Sequence, residues 1–362
     1  MNYAIIMAGG TGKRLWPLSR KQRPKQVLRL LDGQTLLRSC FDRLSPMFDT
    51  RNILVLTNTK YVDVVREELP ELPAANIIAE PCVRDTAGAI GLAAAVLERY
   101  DPKATMAVVT ADQIVEPAHV LQNAIKDGLA FVNEKEENLI TFGIKPTFAS
   151  TQLGYIKYSE EIGCKACRDK IFKVDSFREK PDSKTAEKYV QSGDYLWNSG
   201  MFVWKAKTIL GCLEQFLPEA FEQLEKIRQT WDTPYQHAVL EECFADLPRI
   251  SIDFAVMEKS KDTCTIKLDC RWLDVGAFTA LADVVETDND NNVIIAGENQ
   301  LLDCKNSIIV TEDRNHLIAG IGLDNVVVVH SPDATFVCDV NQAQRIKELL
   351  EIIEKSGQDK FL

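Results

Sequence analysis

The chain has 362 residues, 42 of them Lys or Arg and 53 Asp or Glu, for a formal net charge of −11. This length can bury a large core and predicts one substantial α/β domain with a smaller appendage. The acidic balance argues against a nucleic-acid or anionic-membrane surface, so any phosphate chemistry has to rely on a local basic site. No apolar stretch approaches the roughly 20 residues of a membrane span, and the N-terminus enters a core strand directly, so the expectation is a cytoplasmic protein.

The apolar run at residues 3–8 stops at glycine and predicts a strand. Residues 36–44 and 63–69 carry helical spacing, with a strand at 53–57 between them. Strand-like runs recur at 76–78 and 106–110, separated by an alanine-rich helix over 86–100 that Asp85 or Thr86 is positioned to cap. This alternation predicts a doubly wound, Rossmann-like α/β sheet. Further strands are expected at 139–143, 155–158, 171–178 and 201–204, and most of the remaining helices between 183 and 242. After the polar run at 288–292 come closely spaced β segments at 293–296, 307–311, 317–321, 326–330 and 335–338. A helix over 341–355 closes the chain, with Ile346, Leu349, Leu350 and Ile353 on one face. The expected division is a catalytic domain over 1–287 and a small β-rich module over 288–362.

The ten cysteines form no dense framework, so they are expected as reduced thiols, most of them in the core. Cys164 and Cys167 have CxxC spacing without a second such pair, which favours an ordinary loop over a metal site. The four histidines, His119, His237, His316 and His330, fit no catalytic pattern.

The strongest signal is AGGTGKRLWPLSRKQRPKQ, from Ala8 to Gln26, directly after the first strand. Gly9, Gly10 and Gly12 let backbone amides approach phosphate oxygens, and Lys13, Arg14 and Lys25 bring positive charge. A triphosphate is the natural guest. The pattern is neither GxxxxGK(S/T) nor GxGxxG, which disfavours Walker-type ATPase and dehydrogenase readings.

This segment closely resembles the N-terminal signature of the mannose-1-phosphate guanylyltransferases, within the sugar-nucleotide pyrophosphorylase family. IIAEPCVRDTAGAIG, TADQI, FREKPD, LWNSGMFVW, SIDFAVMEKS and WLDVGAF also resemble that family's motifs, in its order, so the likeness spans essentially the whole chain. It implies a Rossmann-like nucleotidyltransferase fold with a mixed sheet and a short β-helix-like C-terminal module.

By motif position the resemblance implies a metal pair at Asp112 and Asp274, and two hard carboxylates at strand ends suit Mg²⁺ shared with triphosphate oxygens. Taken alone, each aspartate also reads as a turn or cap residue. Glu80, Pro81, Asp85, Thr86 and Ala87 resemble the base-recognition segment, where a carboxylate accepts from guanine. Gly154, Tyr155, Glu179, Lys180 and Asn198 match the sugar-phosphate side, together with Lys25 near the reacting phosphate. Nucleotide contacts are implied for Ala8, Gly9, Gly10, Gly12, Lys13, Arg14 and Asp112, and catalytic roles for Arg14, Lys25, Asp112 and Asp274. The chain departs from the family pattern at Gln113, where histidine is usual, and at Gly88, where proline is common.

The implied reaction is attack of a mannose 1-phosphate oxygen on the α-phosphorus of GTP, giving GDP-mannose and pyrophosphate. No general base is required, because a phosphate monoester with its second pKa near ~6 is already largely ionised at neutral pH. A homo-oligomer, as a dimer, is expected. Two other readings stay open: a nucleotidyltransferase using glucose 1-phosphate with UTP or dTTP, and a non-catalytic regulatory homologue that binds a sugar nucleotide. The chain ends at Leu362, so no phosphomannose isomerase activity is expected.

Overall fold

A computed structural model describes residues 1–30, 33–283 (Asp283 by its backbone alone) and 285–362. The first strands are β1 (Asn2–Met7), β2 (Ile53–Asn58), β3 (Ile77–Glu80), β4 (Thr105–Thr110), β5 (Gln113–Glu116) and β6 (Leu139–Ile144). They are followed by β7 (Tyr155–Ile162), β8 (Ile171–Arg178), β9 (Tyr195–Lys205), β10 (Thr263–Leu268) and β11 (Arg271–Asp274). Interleaved are helices α1 (Leu36–Leu44), α2 (Val62–Glu68), α3 (Asp85–Tyr100) and α4 (Ala118–Glu134), then α5 (Ser183–Ser192), α6 (Ala206–Phe216), α7 (Pro218–Thr230) and α8 (Gln236–Ala245).

Among the described residues, nine strands form one sheet in the order β3-β2-β1-β4-β9-β6-β10-β8-β7. The β3-β2-β1-β4 half is parallel, as expected for near-continuous apolar strands covered on both faces. Beyond it the sheet is mixed: β9 runs antiparallel to β4 and β6, and β10 pairs parallel with β6 but antiparallel with β8. Alternate residues of β1 serve opposite faces. Tyr3 and Ile5 join a core with α3, α6 and α7, and Ala4 and Ile6 join one with α1 and α4.

The C-terminal module contains β12 (Val293–Ile295), β13 (Glu298–Leu302), β14 (Ile308–Thr311), β15 (Leu317–Ile321), β16 (Val326–Ser331) and β17 (Ala334–Asp339). Strands β12, β14 and β16 pair in parallel, β17 returns as a hairpin, and β13 pairs in parallel with β15. Its core is continuous with the signature loop: Leu15, Trp16 and Leu18 pack in one cluster with Leu273, Val275, Val310, Val329 and Phe336. Arg20 adds hydrogen bonds to Ser331 (3.0 Å), Asp333 (2.6 Å) and the Phe361 carbonyl.

Several features differ from the sequence-based expectations. The pairing β5–β11 has no counterpart in the sequence pattern: each strand has four residues, too short for a periodic signal, and among the described residues each pairs only with the other. The last helix starts as a 3₁₀ turn and becomes α9 (Ile346–Lys355); Leu349 is off the packed face at 36% exposure, while Leu350 and Ile353 pack inward. At the start of α3 the Asp85 side chain accepts from the first-turn Thr86 amide at 2.9 Å, whereas the Thr86 hydroxyl accepts from the Ile252 amide at 2.8 Å. Cys164 and Cys167 form a disulfide, whereas open thiols were expected. Asp127 holds this turn by accepting from the amides of Arg168 (3.0 Å) and Asp169 (2.8 Å), which helps keep the two Cα atoms 5.4 Å apart. Among the described residues, no helix is long and apolar enough to cross a membrane.

Candidate active site

The signature loop folds back on itself beyond β1. Gly12 has φ +69°, and a Cβ there would lie 2.5 Å from the Cβ of Lys25, so the glycine turn and the RPKQ element touch. An added Cβ on Gly10 would sit 3.3 Å from Lys25 Cε, and one on Gly9 would sit 3.2 Å from Glu80 Oε2. The glycines therefore bring the cradle against a lysine on one side and a buried carboxyl on the other.

Asp112 follows β4, and the antiparallel β5–β11 pair puts Gln113 opposite Asp274. The Val275 amide donates to the Asp112 carbonyl at 3.2 Å, which ties the two acidic segments together. Lys25 forms an ion pair with Asp112. Burial pulls the Lys25 ammonium down, but Asp112 and Asp274 outweigh it and hold it above its usual range. Burial, and then the neighbouring Asp112 charge, push Asp274 up to about 6. Two carboxylates forced together call for cationic charge beyond one lysine. No group of three or more metal-ligating side chains occurs among the described residues. A pair of carboxylates fits Mg²⁺, which is typically held by one or two carboxylates with substrate phosphates completing its shell.

In the segment expected to take the base, Glu80 ends β3, and burial followed by the charge of Asp85 pushes it up to about 7. Asp85 has φ +63° and accepts from the Thr86 amide at 2.9 Å, while the Ala87 amide donates to the Ile250 carbonyl at 3.2 Å. At the sugar side, Glu179 is buried and ion-paired with Lys180, whose φ of +46° is uncommon for a residue with a side chain. A Cβ on Gly154 would overlap Glu179 Oε2, so any side chain there would have to displace the Glu179 carboxyl. Lys180 is electrostatically coupled to Asp85, Asp253 and Asp274, so the segments carrying Asp85, Asp253 and Asp274 face one another. A cavity of about 470 Å³ opens beside them, lined by Arg14, Asp274, Trp197, Trp272 and Phe148.

Some expected contacts are not available. The Tyr155 side chain is fully buried, and its hydroxyl accepts from the Ser150 amide (2.9 Å) and donates to the Ser150 carbonyl (3.0 Å), so it does not face the sugar. Ala8 spends its amide on the Leu56 carbonyl (2.7 Å) and its carbonyl on the Thr57 hydroxyl (3.0 Å), which leaves it a scaffold role. Lys13 is exposed and lines a separate cavity with Lys21, Lys60 and Lys347. Gln113 is buried and fully engaged: its Nε2 donates to the Ser199 carbonyl at 2.5 Å, and its Oε1 accepts from Trp272 Nε1 at 3.1 Å. The side chain therefore links β9 to β11. Gly88 is buried beneath Arg84, 2.8 Å from its Cβ to where a Cβ would be added.

Asp253 was not singled out from the sequence, although its motif was recognised. It opens a π-helical turn (Asp253–Met257), a geometry invisible to a search for 3.6-residue periodicity, and it accepts from Asn198 Nδ2 at 2.9 Å. Glu258, at the end of that turn, accepts from the Glu179 amide at 2.9 Å.

Residues 3–291 match the nucleotidyl transferase family, and residues 297–353 match the MannoseP isomerase/GMP-like beta-helix domain. Mannose-1-phosphate guanylyltransferase from Klebsiella pneumoniae is 35% identical over 99% of this chain and 75% of its own length. Xanthan biosynthesis protein XanB from Xanthomonas campestris is 37% identical over 98% of this chain and 73% of its own. A solved structure described as mannose-1-phosphate geranyltransferase from Thermus thermophilus superposes with a TM-score of 0.86 at 30% identity, covering 98% of this chain and 99% of that one. The chain is a nucleotidyltransferase and belongs to the nucleotidyl transferase family, alongside the mannose-1-phosphate guanylyltransferases.

Proposed function

We propose that the protein transfers GMP from GTP to mannose 1-phosphate, giving GDP-mannose and pyrophosphate. The observation that carries this reading is the arrangement of Lys25 against Asp112 and Asp274 beneath the glycine turn, with Glu80 at one end of the cleft and Glu179 with Asn198 at the other. Names and coverage of the relatives support the substrate pair.

The chemical problem is to bring two anions together and to stabilise charge on the α-phosphate and the leaving pyrophosphate. Backbone amides of Gly9, Gly10 and Gly12 suit the triphosphate, and Arg14, close to Asp274 and Gly276, adds a fixed cation. Lys25 is positioned to neutralise the reacting phosphates. Asp112 and Asp274 would hold Mg²⁺, which when bound supplies Lewis-acid neutralisation of phosphate charge. Glu80 as a carboxylate accepts from guanine N1–H and the amino group. The attacking phosphate oxygen is already ionised and needs no base. The same reading makes the enzyme a cytoplasmic homodimer without nucleic-acid or membrane partners.

The test is pyrophosphate release with purified protein, Mg²⁺ and a matrix of nucleoside triphosphates and sugar 1-phosphates. GTP with mannose 1-phosphate is expected to give the highest kcat/KM. A higher value for UTP or dTTP with glucose 1-phosphate would overturn the substrate pair. No release with any pair would favour the sugar-nucleotide-binding regulatory alternative.

A further inference from the structure

The amide of Asn198 has no freedom to turn. Its Oδ1 accepts from the Thr141 hydroxyl at 2.8 Å, and its Nδ2 donates to Asp253 Oδ1 at 2.9 Å. Among the described residues, Asn198 is the one side chain that hydrogen-bonds the Asp253 carboxyl, which also accepts from its own backbone amide, and Asp253 is half-buried. Its facing charges are Glu179 and Lys180, and Lys180 is itself committed to Glu179. The turn carrying Asp253 is also tied to the base side, through the Ile252 amide to Thr86 and the Ala87 amide to Ile250.

We infer that Asp253 is a specificity-determining residue for the sugar: its carboxyl, beside Glu179, takes one ring hydroxyl of the hexose 1-phosphate. This rests on the sugar-nucleotide synthesis proposed above. A residue needed only to orient Asn198 would serve as well with a neutral acceptor, and would avoid setting a second acid beside Glu179. That juxtaposition, together with burial, pushes Asp253 up to about 7. Burial is the larger cause, and repulsion from Glu179 adds to it. Such local cost is characteristic of binding sites. A carboxyl group at this position can accept the hydrogen of one sugar hydroxyl. An epimer that turns that hydroxyl away deprives the Asp253 carboxyl of this partner, which is how polar sites reject analogues.

The test compares wild type with Asp253→Asn at saturating GTP and Mg²⁺, using mannose 1-phosphate and its 2-, 3-, 4- and 6-deoxy analogues. Asp253→Asn is expected to raise KM for mannose 1-phosphate about 10- to 100-fold, with KM for GTP and Tm unchanged. One deoxy analogue should be poor for wild type, yet cost the variant nothing further relative to its own mannose 1-phosphate value. Equal additional losses across all analogues in wild type and variant would overturn the inference and leave Asp253 as a support for Asn198. If Asp253→Asn does not fold, Asp253→Ser is read by the same criterion. Wild type that turns over GTP only with a different sugar 1-phosphate changes the substrate assignment, and the deoxy series is then run on that sugar. Wild type that turns over no sugar 1-phosphate overturns both.

Discussion

Gly12 and Lys25 are in such close contact that no side chain fits between them: an added Cβ at position 12 would come within 2.5 Å of Lys25 Cβ. The two residues lie at opposite ends of the signature loop, so its closure is what carries the lysine to Asp112. Gly12→Ala meets both this overlap and a φ of +69°. The expected result is a stability loss of about 1–3 kcal/mol from backbone strain. A displacement of Lys25 near 1 Å would cost about 100-fold in kcat. Thermal melts and pyrophosphate release would check both; an active, normally melting variant would remove Lys25 from the proposed reaction centre.

Asp274→Asn should separate function from stability. The native cleft holds Asp274 against burial and against Asp112, so its charge opposes folding rather than helping it. Turnover is expected to fall about 100- to 1,000-fold, while Tm in metal-free buffer does not drop. A large loss of Tm with the residual activity of a half-unfolded sample would point to a structural role instead.

The parallel half of the sheet was legible because its strands are short apolar runs bounded by glycine or polar residues, and β1, β2 and β4 follow that rule. The glycine-rich loop was legible for the same reason that it works: glycine with clustered lysine and arginine has few structural explanations. What the sequence hid was how polar side chains are spent. Tyr155, Ala8 and Gln113 stand in or beside motifs that suggest ligand contact, but their hydrogen bonds go to Ser150, Leu56 with Thr57, and Ser199 with Trp272. The Ala8 and Gln113 pairings join residues far apart in the chain, and even the short Tyr155–Ser150 loop carries no pattern that reports where the hydroxyl is spent. Asp253 is the converse case, an acid in an unremarked part of a motif that a π-helical turn brings to Asn198.

Gln113 offers a check on that distinction. Gln113→Leu strands the buried Ser199 carbonyl and the half-buried Trp272 indole N–H, and the expected cost is about 1–3 kcal/mol, most of it from the Ser199 carbonyl. Because Gln113 neighbours Asp112 and lies opposite Asp274, kcat should fall as well, with KM for GTP nearly constant. A selective rise in KM for GTP, with stability intact, would mean that the amide contacts the nucleotide.

Glu80 should make GTP binding depend on pH. Burial first, and Asp85 second, hold its carboxyl up to about 7, so below that value most of the free enzyme carries a protonated Glu80. Guanine presents two donors, N1–H and the amino group, and only the carboxylate accepts both. Binding therefore releases a proton below pH 7, and Kd for GTP should fall roughly tenfold for each pH unit gained up to that point, then level off. In Glu80→Gln this step disappears, and Kd above neutral pH is raised about 10- to 100-fold by loss of a charge-assisted contact. Calorimetric titrations of both proteins from about pH 6 to about pH 8.5 would make the comparison. The γ-phosphate of GTP also titrates in this range, but its contribution is common to both proteins. A slope that survives in Glu80→Gln would therefore belong to the phosphate and remove Glu80 from the guanine contact.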